Sequence, residues 1–140
     1  MNTNMLINGT QVAGTAENFE VLNPANETVL ATVASASVEQ VNDAIQAAAH
    51  AFKTWQFVSD ADLQNAFAHI VKDIRQEKDD IARLITLEQG KPFGLAQFEV
   101  DAGANWIEYV ASLEIPVETI QDPSGKTIQV FNRPLGVVAS

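Results

Sequence analysis

Asn132-Arg133-Pro134-Leu135-Gly136-Val137-Val138-Ala139-Ser140 passes from a polar run, through a proline, into an apolar run. A short apolar run bounded by turn residues reads as a strand buried on both faces, and such a strand needs helices packed above and below it. Residues 135–140 are therefore expected to be the first strand of an α/β sheet, truncated before the elements that would cover it. Everything upstream is then expected to stand at the front of a larger fold.

Working back from that strand, Glu118-Thr119-Ile120 and Lys126-Thr127-Ile128-Gln129-Val130-Phe131 flank Asp122-Pro123-Ser124-Gly125, a turn with suitable chemistry. Residues 117–134 are thus expected to form a hairpin arm, which alternates polar and apolar positions and lies on something larger. Before it come three expected helices. The third runs from about Phe93 to Leu113, with Ala96, Ala102, Gly103 and Ala104 small enough for another backbone to approach, and Pro116 after it. The second begins at Ser59 or Asp60 and carries Leu63, Phe67, Ile70, Ile74, Ile81, Leu84 and Ile85. Gly90 can take the left-handed conformation that ends a helix, and Lys91-Pro92 blocks continuation. The first opens on the capping-box pattern Ser37-Val38-Glu39-Gln40. Its residues Val38, Val41, Ile45, Ala48, Phe52 and Trp55 recur at helical spacing along one apolar face.

At the amino-terminal end, Leu6-Ile7-Asn8-Gly9 begins a strand and its turn. Phe19-Glu20-Val21-Leu22 and Thr28-Val29-Leu30-Ala31-Thr32-Val33 flank Asn23-Pro24-Ala25-Asn26 and predict a hairpin. Residues 1–116 form one part of the expected organisation, followed by the arm and the strand.

Composition removes several functions. Eighteen acidic residues against eight basic give a net charge of -10, which opposes nucleic acid and anionic lipid alike. No apolar run approaches the ~18 residues that span a membrane, and Met1-Asn2-Thr3-Asn4 has no basic leader, so a cytoplasmic protein is expected. With no cysteine there is no disulfide, no thiolate metal site and no cysteine nucleophile. His50 and His69 sit inside expected helices without a matching ligand pair, and Glu77, Asp79 and Asp80 read as a solvated helix face. Glycines at 9, 14, 90, 94, 103, 125 and 136 form neither a dinucleotide fingerprint nor a Walker loop. Gly90 and Gly94 have Gly-x-x-x-Gly spacing, which carries weight in an apolar membrane helix and not here. From the residues alone, the chain is a scaffold with no visible active site.

Taken in order, several segments resemble the amino-terminal part of the aldehyde dehydrogenase superfamily. They are Leu6-Ile7-Asn8-Gly9, Val21-Leu22-Asn23-Pro24-Ala25-Asn26, Phe52-Lys53-Thr54-Trp55, Leu87-Glu88-Gln89-Gly90-Lys91-Pro92, Phe98-Glu99-Val100, Glu118-Thr119-Ile120 and Arg133-Pro134-Leu135-Gly136-Val137-Val138-Ala139. The Glu-x-Gly-Lys-Pro segment and the Arg-Pro-Leu-Gly-Val-Val end are the most specific. The sequence departs from the pattern near Leu63, where relatives commonly carry an arginine, and in the run containing Asp73 and Arg75.

The resemblance implies oxidation of an aldehyde to a carboxylic acid with NAD or NADP. A cysteine thiolate attacks the carbonyl, hydride leaves to nicotinamide, and a glutamate activates water. It also implies that the cysteine, the glutamate and the cofactor turns lie beyond position 140. This chain alone is therefore expected to bind no cofactor and to be inactive. The fold implied is α/β: an amino-terminal hairpin and three helices of the nucleotide-binding domain, an oligomerisation arm, and the first strand of a doubly wound sheet. The arm, Lys126 to Phe131, is expected to reach a second copy or a full-length relative. The carbonyls of Val21 and Leu22 with the carboxylate of Glu99 match positions that hold a monovalent cation in many relatives, and a local cap or ion pair is the alternative role for Glu99. A second reading makes the chain a free-standing interaction module that pairs through the arm and the open last strand.

Overall fold

A computed structural model describes residues 3–139 of the chain. Six strands and four helices follow one another, and the strands pair only as three separate antiparallel hairpins among the described residues. The first hairpin joins β1 (Met5–Ile7) to β2 (Thr10–Val12), and the second joins β3 (Asn18–Leu22) to β4 (Val29–Ala34). The third joins β5 (Glu118–Gln121) to β6 (Thr127–Val130) across the Asp122-Pro123-Ser124-Gly125 turn. All three fall where turn residues separate runs of strand-forming ones.

Helix α1 (Val38–Trp55) starts on the expected capping box: the Ser37 hydroxyl accepts from Gln40 N at 3.3 Å, and the Gln40 side chain accepts from Ser37 N at 3.1 Å. Two orphan donors of the first turn are thereby satisfied. Its apolar face exists but is covered by little. Val41, Ile45 and Trp55 remain about half exposed, Val38 more so, and no residue of α1 is buried.

The expected second helix is two. Helix α2 (Asp60–Gln76) and helix α3 (Lys78–Gln89) meet at Glu77, whose φ of -93 and ψ of 12 leave the helical region. No glycine or proline causes the break. Both helices pack on α4 (Phe93–Ala111), α3 against its first half and α2 against its second, so the chain bends between them. Glu77 O still accepts from Ile81 N at 2.9 Å, which keeps the hydrogen bonding nearly continuous through the bend. Gly90 ends α3 at φ 71, as its sequence position predicts.

The core is small and lies where these helices meet. Ala82, Ala96 and Ala104 are fully buried, Val71 and Val100 nearly so, with Ile74, Ile81 and Ile85 packed alongside. Alanines here let the axes approach toward the short end of the usual range, about 8 Å. Ala96 and Ala104 thus have the role expected of the small residues of the third helix. Gly103 does not: a Cβ built on it meets nothing within 4 Å.

The expected terminal strand is not formed. Residues 131–139 carry no strand, Leu135 is 96% exposed and Val138 70%. A strand requires lateral hydrogen-bonding partners, and no parallel neighbour stands beside this segment among the described residues. Gly136 at φ 109 also lies outside extended geometry for an L-residue. Ser140, the last residue of the expected strand, lies outside the described residues, as do Met1 and Asn2.

Candidate functional site

The loop that leaves β3 is built from its own asparagines. The Asn23 carboxamide oxygen accepts from Ala25 N at 2.9 Å, and that of Asn26 accepts from Thr28 N and Thr28 Oγ1 at 3.1 and 2.8 Å. Just before it, the β3–β4 register shifts between Val21 and Leu22: Val21 pairs with Ala31 and Leu22 with Val29. Such a bulge disturbs the ladder at the two residues whose carbonyls were expected to hold a cation. This loop sits against the end of α3, since a Cβ on Gly90 would lie 3.1 Å from Pro24 Cγ. From Gly90 the chain runs straight into Lys91, and the Lys91 ammonium pairs with the Glu99 carboxylate on α4. Val21, Leu22 and Glu99 are therefore linked through Pro24, Gly90 and Lys91, and Glu99 already holds a positive charge. Among the described residues no group of three or more His, Cys, Asp or Glu comes together as a metal site.

The arm carries the second set of expected residues. Thr127, Ile128, Gln129 and Val130 form β6, Lys126 closes the turn before it, and Phe131 follows it. Every one of them is exposed, and the partner strand β5 is exposed throughout. The Asp122 carboxylate fixes the turn by accepting from Ser124 Oγ at 2.6 Å, Ser124 N at 2.8 Å and Lys126 N at 3.0 Å. The Ser124 hydroxyl above all, with the Lys126 and Ser124 amides, holds that carboxyl below its ordinary range. At the root of the arm, Trp55, Val58, Leu63, Ile115, Phe131 and Pro134 line a cleft of about 420 Å³.

A larger groove, about 630 Å³, opens between α2 and the end of α4, floored by Phe67, Ala68, Val71 and Ala111. Across it Arg75 grips Glu108 with two bonds of 2.8 and 2.7 Å and donates a third, 2.9 Å, to Asn105 Oδ1. This forked pairing lowers the Glu108 carboxyl and raises the Arg75 guanidinium relative to their ordinary values. Arg75, flagged in the sequence as a departure from the family run, thus has a partner that 33 residues of separation hid. Neither histidine joins a site: His50 is exposed on α1, and His69 Nδ1 lies 2.8 Å from Asn65 O one turn back on its own helix. The arrangement offers fixed ion pairs and apolar surface.

Four helices with small antiparallel strand pairs place the chain among α/β proteins, matching the amino-terminal portion of a nucleotide-binding domain. The profile of the aldehyde dehydrogenase family matches residues 11–140, and the chain belongs to that family. An aldehyde dehydrogenase from Brucella melitensis biovar abortus is 32% identical and superposes with a TM-score of 0.83 over 87% of this chain and 26% of that one. A betaine aldehyde dehydrogenase from Staphylococcus aureus, solved in complex with NAD+, is 27% identical with a TM-score of 0.81 over 87% of this chain and 25% of its own. An NAD-dependent benzaldehyde dehydrogenase from Corynebacterium glutamicum shares the fold at 21% identity and a TM-score of 0.77, over 86% of this chain and 28% of that one. The chain thus spans about a quarter of the length of these enzymes. No helix among the described residues is long and apolar enough to cross a membrane.

Proposed function

We propose that these residues serve as the amino-terminal frame of an NAD(P)-dependent aldehyde dehydrogenase and do not themselves catalyse. The observation that carries this reading is surface. A compact protein of 15.1 kDa exposes roughly 7,100 Å² by the usual scaling, whereas this chain exposes 10760 Å². Large apolar side chains stand exposed on α1, on α4 and on the arm. Such a surface suits docking onto a larger body. Family chemistry needs a cysteine thiolate, and this sequence contains no cysteine. The test is incubation with NAD or NADP and a panel of aldehydes while following absorbance of the reduced nicotinamide. No turnover above a protein-free control is expected, and any reproducible excess overturns the assignment of a purely structural role.

The cation site at Val21, Leu22 and Glu99 belongs to the same proposal, with the ion taking the place of the Lys91 ammonium beside Glu99. A ligand that binds the folded state alone raises its melting midpoint. Potassium chloride should therefore raise the midpoint above that in tetramethylammonium chloride of equal ionic strength. Equal midpoints would remove the site.

A second reading, a self-associating module in a cytoplasmic setting, is favoured by the unpaired outer edges of β5 and β6. Light scattering over a concentration series separates the two. Growth in mass with concentration that is abolished by deleting residues 117–134 supports the module, and a monomer throughout argues against it.

A further inference from the structure

The tip of the first hairpin combines a reactive dipeptide with a turn that restrains it. Asn8 is the one asparagine of ten that precedes a glycine. Glycine has no side chain to hinder its own amide nitrogen. Asn8 is exposed, and a Cβ built on Gly9 would meet nothing within 4 Å, so the dipeptide is open to water. We propose that Asn8-Gly9 is a spontaneous deamidation site whose rate is set by opening of the β1–β2 hairpin.

The chemistry needs only water. The Gly9 amide nitrogen gives up its proton to base and attacks Asn8 Cγ. The new N–Cγ bond closes a succinimide, the Cγ–Nδ2 bond breaks, and the amide nitrogen leaves as ammonia. Water then adds to one imide carbonyl or the other. One opening yields aspartate, and the other yields isoaspartate, with an additional methylene in the main chain. Nothing is oxidised or reduced.

In the folded turn this ring is disfavoured. Asn8 at φ 49 and Gly9 at φ 75 are both left-handed, the geometry of a two-residue hairpin loop, with Ile7 paired to Thr10 behind them. Swinging the Gly9 nitrogen onto Cγ rotates the Asn8 backbone out of that geometry and breaks the pairing. Yet each strand has three residues, and a lone two-stranded hairpin is marginal in water. Two features support it. Strand β1 touches α1, and the tip lines a cleft with Ala44, Ala47, Ala48 and Ala51 of that helix. The Gln40 side chain holds the chain leaving β2 through Ala13 O at 2.8 Å and Thr15 N at 3.0 Å.

Reaction from an opened state follows the open population. The chain is aged at mildly alkaline pH and digested, and the Asn8 peptide is followed by mass spectrometry with fragmentation that separates aspartate from isoaspartate. Asn8 should convert ahead of the other nine asparagines, giving both products. Urea should accelerate it, Gly9→Ala should nearly abolish it, and Gln40→Ala should raise its rate roughly thirtyfold for the loss of the two anchoring hydrogen bonds. Another asparagine converting first would overturn the site. Equal rates in folded and urea-unfolded chain would overturn control by the hairpin, and that comparison stands even if Gln40→Ala fails to fold.

Discussion

Substituting alanine at two glycines should move stability in opposite directions, and the structure says which way for each. A Cβ on Gly14 would stand 2.2 Å from Ala34 O, 2.4 Å from Ser35 O and 2.5 Å from Ala34 C, where ordinary contact begins at 3.4 Å. All three atoms are backbone, so no rotamer change relieves the clash. The strands around it are tied together: Ala16 N donates to Ser35 O at 3.0 Å, Ser35 N to Glu17 O at 3.1 Å, and Gln40 clamps Ala13 and Thr15. Overpacking of this kind costs about 1–3 kcal/mol, and losing one or two of those bonds adds about 1 kcal/mol each. Gly14→Ala should therefore cost about 3 kcal/mol and, for a chain of this length, lower the melting midpoint by roughly 10 °C. Gly103→Ala lies inside α4 with nothing within 4 Å of the new methyl. Relief of the glycine penalty in a helix should stabilise it by about 0.5–1 kcal/mol. Thermal and urea unfolding followed by circular dichroism read both variants. A Gly14→Ala protein within experimental error of the parent, or two variants shifting in the same direction, would refute the reasoning.

Three further outcomes are expected. Ala96→Leu, at a fully buried helix contact, should cost about 2–3 kcal/mol by urea unfolding, and a neutral result would mean that α3 and α4 do not meet there. Val71→Ala truncates a nearly fully buried side chain and should cost about 2 kcal/mol by the same measurement. Because the Asp122 carboxyl is held below its unfolded value, the stability it gives the β5–β6 turn is complete above about pH 4 and is lost as pH falls through the lower folded value. Amide shifts of Ser124 and Lys126 followed from pH 6 to 2 should record that loss, and Asp122→Asn should remove the titration.

How far the sequence could be read depended on the range of the physics involved. Local chemistry was legible: the capping box at Ser37 and Gln40, the left-handed stop at Gly90 and the Asp122 to Gly125 turn are each decided within a few residues. The bend at Glu77 was not, because Ile74 and Ile81 are seven residues apart, two helical turns, and one continuous helix would keep the same phase. What separates α2 from α3 is that both must pack on α4, a tertiary cause with no local signal. The terminal segment shows the converse. Leu135 to Ala139 have the composition of a buried strand, but composition cannot supply the neighbouring strand that makes one. Arg75 and Glu108 were each readable as helix-surface charges, and only the crossing of α2 over α4 makes them a pair.

The distribution of positive charge adds an argument about which parts of the chain are self-sufficient. Only eight residues are Lys or Arg, against eighteen Asp and Glu. Three of those eight, Arg75, Lys78 and Lys91, each engage a carboxylate of α4, namely Glu108, Asp101 and Glu99, and α4 has no other carboxylate. Side chains from α2, from α3 and from the turn after α3 thus neutralise α4 along the same seam that buries Ala82, Ala96 and Ala104. A seam with its charges matched and its apolar atoms covered can persist by itself. Neither α1 nor the arm has any such closure: neither contains a buried residue, and both turn valine, isoleucine or aromatic side chains outward. If the frame docks on a larger body, protection from hydrogen exchange should be strongest along α3 and α4 in this chain alone, and weak in α1 and β5–β6. Uniform protection across all four helices would show that α1 is held by contacts within the chain, and would remove the physical basis for assigning its exposed face to a partner surface.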